Sequence, residues 1–138
     1  MAEMTFRAKV DRLDEVLAFV DAEATKLGCQ LRCQMQIDVA VEELFVNIAK
    51  YAYTPGEGDV TIRIDPVKEG GALEITFIDQ GIPYDPLAKP DPDVTLSAEE
   101  RQIGGLGIFM VKKSMDDMRY EYRDGQNILT IMKKIRSN

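Results

Sequence analysis

Apolar positions along this chain switch between two periods, and the switches divide it into elements. Over residues 4–10, Met4, Phe6, Ala8 and Val10 alternate with Thr5, Arg7 and Lys9, the two-residue period of a half-buried strand. The period then lengthens. Leu13, Val16, Leu17, Val20, Ala24 and Leu27 fall at three- and four-residue steps, which predicts a helix with Asp11 as its N-cap and Gly28 at its end. A second helix is predicted over residues 35–53, where Ile37, Val41, Leu44, Phe45, Ile48 and Ala52 make one apolar stripe. Thr54-Pro55-Gly56-Glu57-Gly58 is a turn by composition. Beyond it Val60, Ile62 and Ile64 alternate with polar neighbours, residues 66–71 turn the chain back, and Leu73, Ile75 and Phe77 alternate again. A β-meander is the economical reading.

Residues 84–103 hold no clear period, and Pro86, Pro90 and Pro92 cluster there among acids. A long irregular segment inside a compact domain is usually functional, often a lid. Helical spacing resumes at Ile108, Met110, Val111, Ser114 and Met115, and Asp124-Gly125-Gln126-Asn127 is a hairpin signal between two short strand-like runs. No internal repeat or low-complexity segment interrupts the pattern.

Three places break the pattern with residues suited to chemistry. Glu43 and Asn47 lie four apart on the second helix, so their side chains stack on one face beside the apolar stripe, with Lys50 one turn on. They are either a solvated polar flank or a general base next to a metal ligand at the edge of the core. Asp79 stands where a buried strand runs into Gln80-Gly81; it either caps the turn or accepts a hydrogen bond from a ligand's amino group. Gly104-Gly105-Leu106-Gly107 opens the third helix, where backbone N–H groups can approach an anion. The run is neither a phosphate-binding Walker loop nor a dinucleotide fingerprint, since Met110 occupies the third glycine position of the latter.

Composition narrows the classes. The 138 residues fit one domain, 1–138, and 30% charged residues read as soluble and globular. A net charge of −7 argues against a general nucleic-acid binder, although seven Lys or Arg against four Asp or Glu follow position 110, a local +3. No apolar run approaches the ~18 residues of a membrane span. The first ten residues lack the pattern of a signal peptide, so the cytoplasm is the expected location. Two cysteines, Cys29 and Cys33, are too few for a disulfide scaffold and are expected as buried or half-buried thiols. The absence of histidine removes Ser-His and Cys-His nucleophile arrangements, any phosphohistidine relay and most zinc sites.

In this order and spacing, the helix with Glu43 and Asn47, the strand ending in Asp79-Gln80-Gly81, the irregular lid and the glycine-opened helix resemble the Bergerat ATP-binding fold (the GHKL superfamily of gyrase, histidine kinases and MutL). Within it, the short chain looks like the anti-sigma factor serine/threonine protein kinases of the RsbW and SpoIIAB type. The resemblance spans nearly the whole chain. It implies an α/β (α+β) two-layer sandwich: a mostly antiparallel mixed sheet with helices on one face and an ATP lid.

By position, the resemblance makes Glu43 the catalytic base, Asn47 the Mg2+ ligand, Asp79 the reader of the adenine amino group and Gly81 the glycine beside it. Gly105 and Gly107 match the glycines at the lid hinge, and Arg101 the lid arginine that reaches the γ-phosphate. Nucleotide contacts are then expected at Asn47, Lys50, Asp79, Gly81, Arg101 and the run Gly104, Gly105, Leu106, Gly107. Gln102 and Ile103 are extra relative to the closer kinases, and Lys50-Tyr51 stands where relatives often carry a histidine. The implied cofactors are ATP and Mg2+. The implied partners are a STAS-type anti-anti-sigma protein as phosphorylation substrate, a sigma factor or similar client, and a second copy in a homodimer; neither nucleic acid nor membrane is expected. The alternative is an ATP-gated protein-binding module that transfers no phosphate.

Overall fold

The computed structural model describes residues 2–67, 70–88 and 105–135. Five strands form one sheet: β1 (Ala2–Arg7), β2 (Asp59–Pro66), β3 (Ala72–Asp79), β4 (Asp117–Arg123) and β5 (Gln126–Lys134). Their spatial order is β1-β2-β3-β5-β4, and each of the four pairings is antiparallel. The sheet is therefore antiparallel throughout, where the sequence reading allowed a mixed one. Among the described residues three α-helices accompany it: α1 (Leu13–Lys26), α2 (Leu31–Asn47) and α3 (Gly105–Ser114).

Strand parity sorts the two faces. Val60, Ile62 and Ile64 on β2, Leu73, Ile75 and Phe77 on β3, and Leu129 and Ile131 on β5 are buried. They pack with Val16, Val20 and Ala24 of α1 and Ile37, Ala40, Val41, Leu44 and Phe45 of α2 in one core. The opposite face carries hydroxyl pairs across strands, Thr5–Thr61 at 2.8 Å and Thr76–Thr130 at 3.3 Å. The predicted layers, helices over a sheet, are the observed ones.

Element ends differ in instructive ways. β1 stops at Arg7, and a short 3₁₀ turn, Val10–Arg12, intervenes before α1. The N-cap of α1 is accordingly Arg12, with no side-chain cap bond, so the expected role of Asp11 is not realised. Gly28 does close the helix, at φ +98°. α2 begins earlier than its apolar stripe suggests and passes after Asn47 into a π-helical segment, Ile48–Ala52. The β4–β5 turn is only Asp124-Gly125, with φ of 55° and 77°, so Gln126 and Asn127 already belong to β5. Among the described residues, no helix is long and apolar enough to cross a membrane.

Candidate active site

The last inward-facing position of β3 after Leu73, Ile75 and Phe77 is Asp79, by parity alone. There it is 5% exposed, and it lines a cavity bounded by the end of α2, the segment after β3, and α3. Its two oxygens have separate duties. Oδ1 accepts the Gly81 backbone N–H at 2.9 Å and the Asn127 Nδ2 donor at 2.9 Å. Oδ2 accepts no hydrogen bond among the described residues, on a side chain that lines the cavity. Turn cap and ligand acceptor, which the sequence left as alternatives, are thus compatible in one carboxylate.

The segment after β3 is seated on the π-helical turn. Widening a helix to i→i+5 bonding changes which carbonyls are free, and such turns recur at functional sites. Here the Ala52 carbonyl accepts the Ile82 N–H at 2.9 Å. Gly81 lies so close that a Cβ would overlap the Ala52 carbonyl, which explains glycine at that position. Tyr53 bridges the same region, donating to the Asp59 carbonyl at 2.6 Å and accepting the Gln80 N–H at 2.7 Å.

Asn47, the last α-helical residue of α2, faces this cavity with Ile48, Tyr51 and Ala52. Its carboxamide has no hydrogen bond among the described residues. Glu43, one turn earlier, is half-buried against α3: a Cβ on Gly107 would overlap its carboxylate. That carboxylate likewise has no protein partner among the described residues. Asn47 thus brings an uncommitted oxygen to a mostly apolar cavity that the Asp79 carboxylate also lines, and the Glu43 carboxylate stands one helical turn earlier, against α3.

Of the residues singled out from sequence, Asn47 and Asp79 line the cavity, Gly81 packs against Ala52, and Glu43 meets Gly107 at the α2–α3 crossing. Gly105 begins α3. Lys50 is exposed on the π turn, its carbonyl accepting the Thr54 hydroxyl, and it does not line the cavity. Arg101 and Gly104 lie outside the described residues, as does the Leu106 side chain. Sequence reasoning missed Tyr51, Ile82, Tyr84, Tyr120 and Asn127, all of which line the cavity. The thiols match expectation: Cys29 is buried and Cys33 half-buried, both free. Burial, then the Cys33 thiol beside it, pushes Cys29 up to about 12, which keeps it from acting as a thiolate.

The chain matches the histidine kinase-like ATPase domain over residues 6–133 and belongs to that family. It is 29% identical over 110 residues to the serine-protein kinase RsbW of Listeria monocytogenes, covering 77% of this chain and 69% of the relative. To the serine/threonine-protein kinase BtrW of Bordetella bronchiseptica it is 28% identical over 100 residues, covering 72% and 70%. To Bacillus cereus RsbW it is 25% identical over 131 residues, covering 92% and 81%. Among solved structures, the RsbU and RsbW domains of Rv1364c from Mycobacterium tuberculosis superpose at TM-score 0.67 with 13% identity. That match takes in all of this chain and about a third (34%) of the other. The blue-light activated histidine kinase EL346 of Erythrobacter litoralis gives TM-score 0.60 over 91% of this chain and 40% of that one, at 14% identity.

Proposed function

We propose that the chain, acting as one domain over residues 1–138, is an ATP-dependent serine/threonine protein kinase of the anti-sigma factor type. Its substrate would be a STAS-type antagonist protein, and it would hold a sigma factor or similar client, as a cytoplasmic homodimer, until that antagonist displaces it. The observation that carries the reading is the divided Asp79 carboxylate lining a mostly apolar cavity, one oxygen fixed by two N–H donors and the other without a hydrogen bond among the described residues. An open acceptor there suits the amino group of adenine, with Ile48, Ile82 and Tyr51 as apolar walls.

The residues present suit Mg2+ and a triphosphate. Mg2+ takes few protein oxygens and keeps its waters, so the uncommitted Asn47 carboxamide with substrate phosphates is a sufficient donor set. When bound, the ion would neutralise charge developing on the transferred phosphoryl group. Glu43, one turn away and without a protein partner, would accept the proton of the attacking serine or threonine hydroxyl as its oxygen bonds to the γ-phosphorus and the β–γ bridge breaks. Gly107 leaves space for that carboxylate, and the N–H groups opening α3 would face the phosphates. Arg101 would add a positive charge from the lid.

The test is calorimetry with Mg-ATP on the wild type and on Asp79→Asn. Binding that falls about 100-fold or more in the variant supports the adenine assignment, since a buried acceptor would be exchanged for a donor facing a donor. Wild-type protein that binds no ATP defeats the proposal. Transfer of γ-phosphate to the antagonist, abolished by Glu43→Ala with ATP still bound, separates a kinase from a gated binding module.

A further inference from the structure

We infer that Cys33 and Cys29 form a reactive dithiol site: a hydroperoxide oxidises Cys33, Cys29 closes a reversible disulfide onto it, and the Asp21–Asp38 carboxyl pair takes up the Cys29 proton. The site lies at the start of α2, whereas Asn47 and the cavity lie at its end, and it does not depend on the ATP reading.

The two thiols are brought together by the corner between α1 and α2. Gly28 turns the chain at φ +98°, and the Cys29 N–H closes α1 by donating to the Ala24 carbonyl at 3.0 Å. Gln30 is the N-cap of α2, so Cys33 falls in the first helical turn with its side chain beside that of Cys29. Cys29 precedes the helix, so its Cβ is not bound to the spacing of about 5–6 Å that a helical i,i+4 pair keeps, and it can meet the roughly 3.5–4.5 Å of a bridge. Cys29 is buried in the core and Cys33 packs against it half-buried. Each thiol donates to a backbone carbonyl, Cys29 to Gln30 at 3.6 Å and Cys33 to Lys134, at the end of β5, at 3.8 Å.

The surroundings divide the labour. Cys33 is the more accessible sulfur, and the unpaired N–H groups opening α2 favour negative charge developing on it. Cys29 is held as a thiol, first by burial, then by Cys33, and after that by the charges of Asp38 and Asp21. Those same two acids each bury an oxygen without a donor among the described residues, so the pair has room for a proton at the point where Cys29 must lose one.

The chemistry balances. The Cys33 sulfur attacks the peroxide, an S–O bond forms as the O–O bond breaks, and water leaves, giving a sulfenic acid. The Cys29 sulfur then attacks that of Cys33. The S–S bond forms, the S–O bond breaks, hydroxide leaves and is protonated to water, and the Cys29 proton passes to the carboxyl pair and on to solvent. Two thiols are oxidised and one peroxide is reduced to two waters. The bridge leaves Cys33 without a hydrogen to donate, so α2 loses its bond to the Lys134 carbonyl of β5.

The experiment exposes the reduced full chain to hydrogen peroxide at about pH 8, blocks remaining thiols with N-ethylmaleimide and maps peptides by mass spectrometry. The expected product is a monomer two hydrogens lighter, with Cys29 linked to Cys33 and both thiols restored by dithiothreitol. Cys29→Ser should stop at the Cys33 sulfenic acid, trapped with dimedone. Cys33→Ser should leave Cys29 oxidised at least about tenfold more slowly. Asp38→Asn should form the sulfenic acid at the wild-type rate and close the bridge about tenfold or more slowly, since an amide cannot take the proton. Each variant is first checked for a cooperative melt, and the wild-type map needs none of them. A folded wild type whose thiols stay unreactive, or that ends as a Cys33 sulfinic acid or an intermolecular dimer, overturns the inference. Closure in Asp38→Asn as fast as in wild type overturns the role given to the carboxyl pair.

Discussion

Asp79 and the Asp21–Asp38 pair are all acids set partly or wholly inside the protein, in surroundings that are near opposites. Asp79 sits at the end of a strand, where a backbone N–H and a cross-strand amide converge on one of its oxygens. Asp21 on α1 and Asp38 on α2 each bury an Oδ1 that finds no donor among the described residues. Asp38 is pushed up to about 7, first by burial and then by the Asp21 carboxyl beside it. With both ionised, neither can donate; a single shared proton supplies the missing bond. The difference lies in the backbone. The middle of a helix uses its N–H groups internally, so two helices pressed together offer an acid nothing, whereas a strand end and its turn present N–H groups to whatever stands there. Enclosure alone therefore does not decide what an acid can do; the donors around it do.

The largest effect on this comparison should come from Gly81→Ala. The added Cβ would overlap the Ala52 carbonyl, which is backbone and cannot swing aside. The segment must lift from the π turn, losing the Ile82 N–H to Ala52 bond and displacing the Gly81 N–H that caps Asp79. A loss of about 1–3 kcal/mol in urea unfolding is expected, together with weaker ATP binding. Unchanged stability would mean that the strand-end acid does not depend on this seat.

Next in size is Asp38→Asn, which acts on the other acid. A carboxyl raised in the folded state contributes stability that is fully present below its unfolded value of 3.8 and is lost as pH rises through its folded value of about 7. The wild type should therefore melt lower at about pH 8 than at about pH 5, other groups being equal. Asparagine brings its own donor to Asp21 and removes that loss. A melting temperature a few degrees higher than wild type at about pH 8, and little changed near pH 4, is the expected scan. A variant less stable than wild type at every pH would show that the pair is held together by something other than a shared proton.

The two acids also differ in how visible they were from the sequence. The alternation Leu73, Ile75, Phe77 carries inward by parity to Asp79, so its face could be read without knowing any partner strand. Asn127 was legible by the same rule, counted back from Leu129 and Ile131. It was absorbed instead into a four-residue hairpin signal, whereas the turn is only Asp124-Gly125. Asp21 and Asp38 lie off the apolar stripes of their own helices, where a polar residue reads as solvated. Only the crossing of α1 on α2 brings them together, and neither helix's period encodes that crossing. Helix starts were the other blind spot: the 3₁₀ turn at Val10–Arg12 replaces the cap that Asp11 suggested. The glycine opening of α3 was clear in sequence, but its contact with Glu43 through Gly107 depended on the packing of α2 against α3.

The smallest expected effect tests whether the strand-end acid owes its setting to its own donors or to the wider brace around it. Tyr53 supplies the nearest part of that brace, tying the Gln80 N–H to the Asp59 carbonyl through one hydroxyl. The ring also fills the space over Gly58, where a Cβ would overlap it. Tyr53→Phe keeps the ring and removes the hydroxyl. The two backbone groups it leaves are near enough to solvent for water to replace part of what is lost, so unfolding should become easier by about 1 kcal/mol. Neither donor on Asp79 Oδ1 belongs to Tyr53, so ATP affinity should fall by less than about threefold, or under 1 kcal/mol. A drop in affinity as large as that of Gly81→Ala would reverse the order. It would place control of the Asp79 carboxylate in the Gln80 peptide that Tyr53 anchors, not in the two N–H groups that bond it directly.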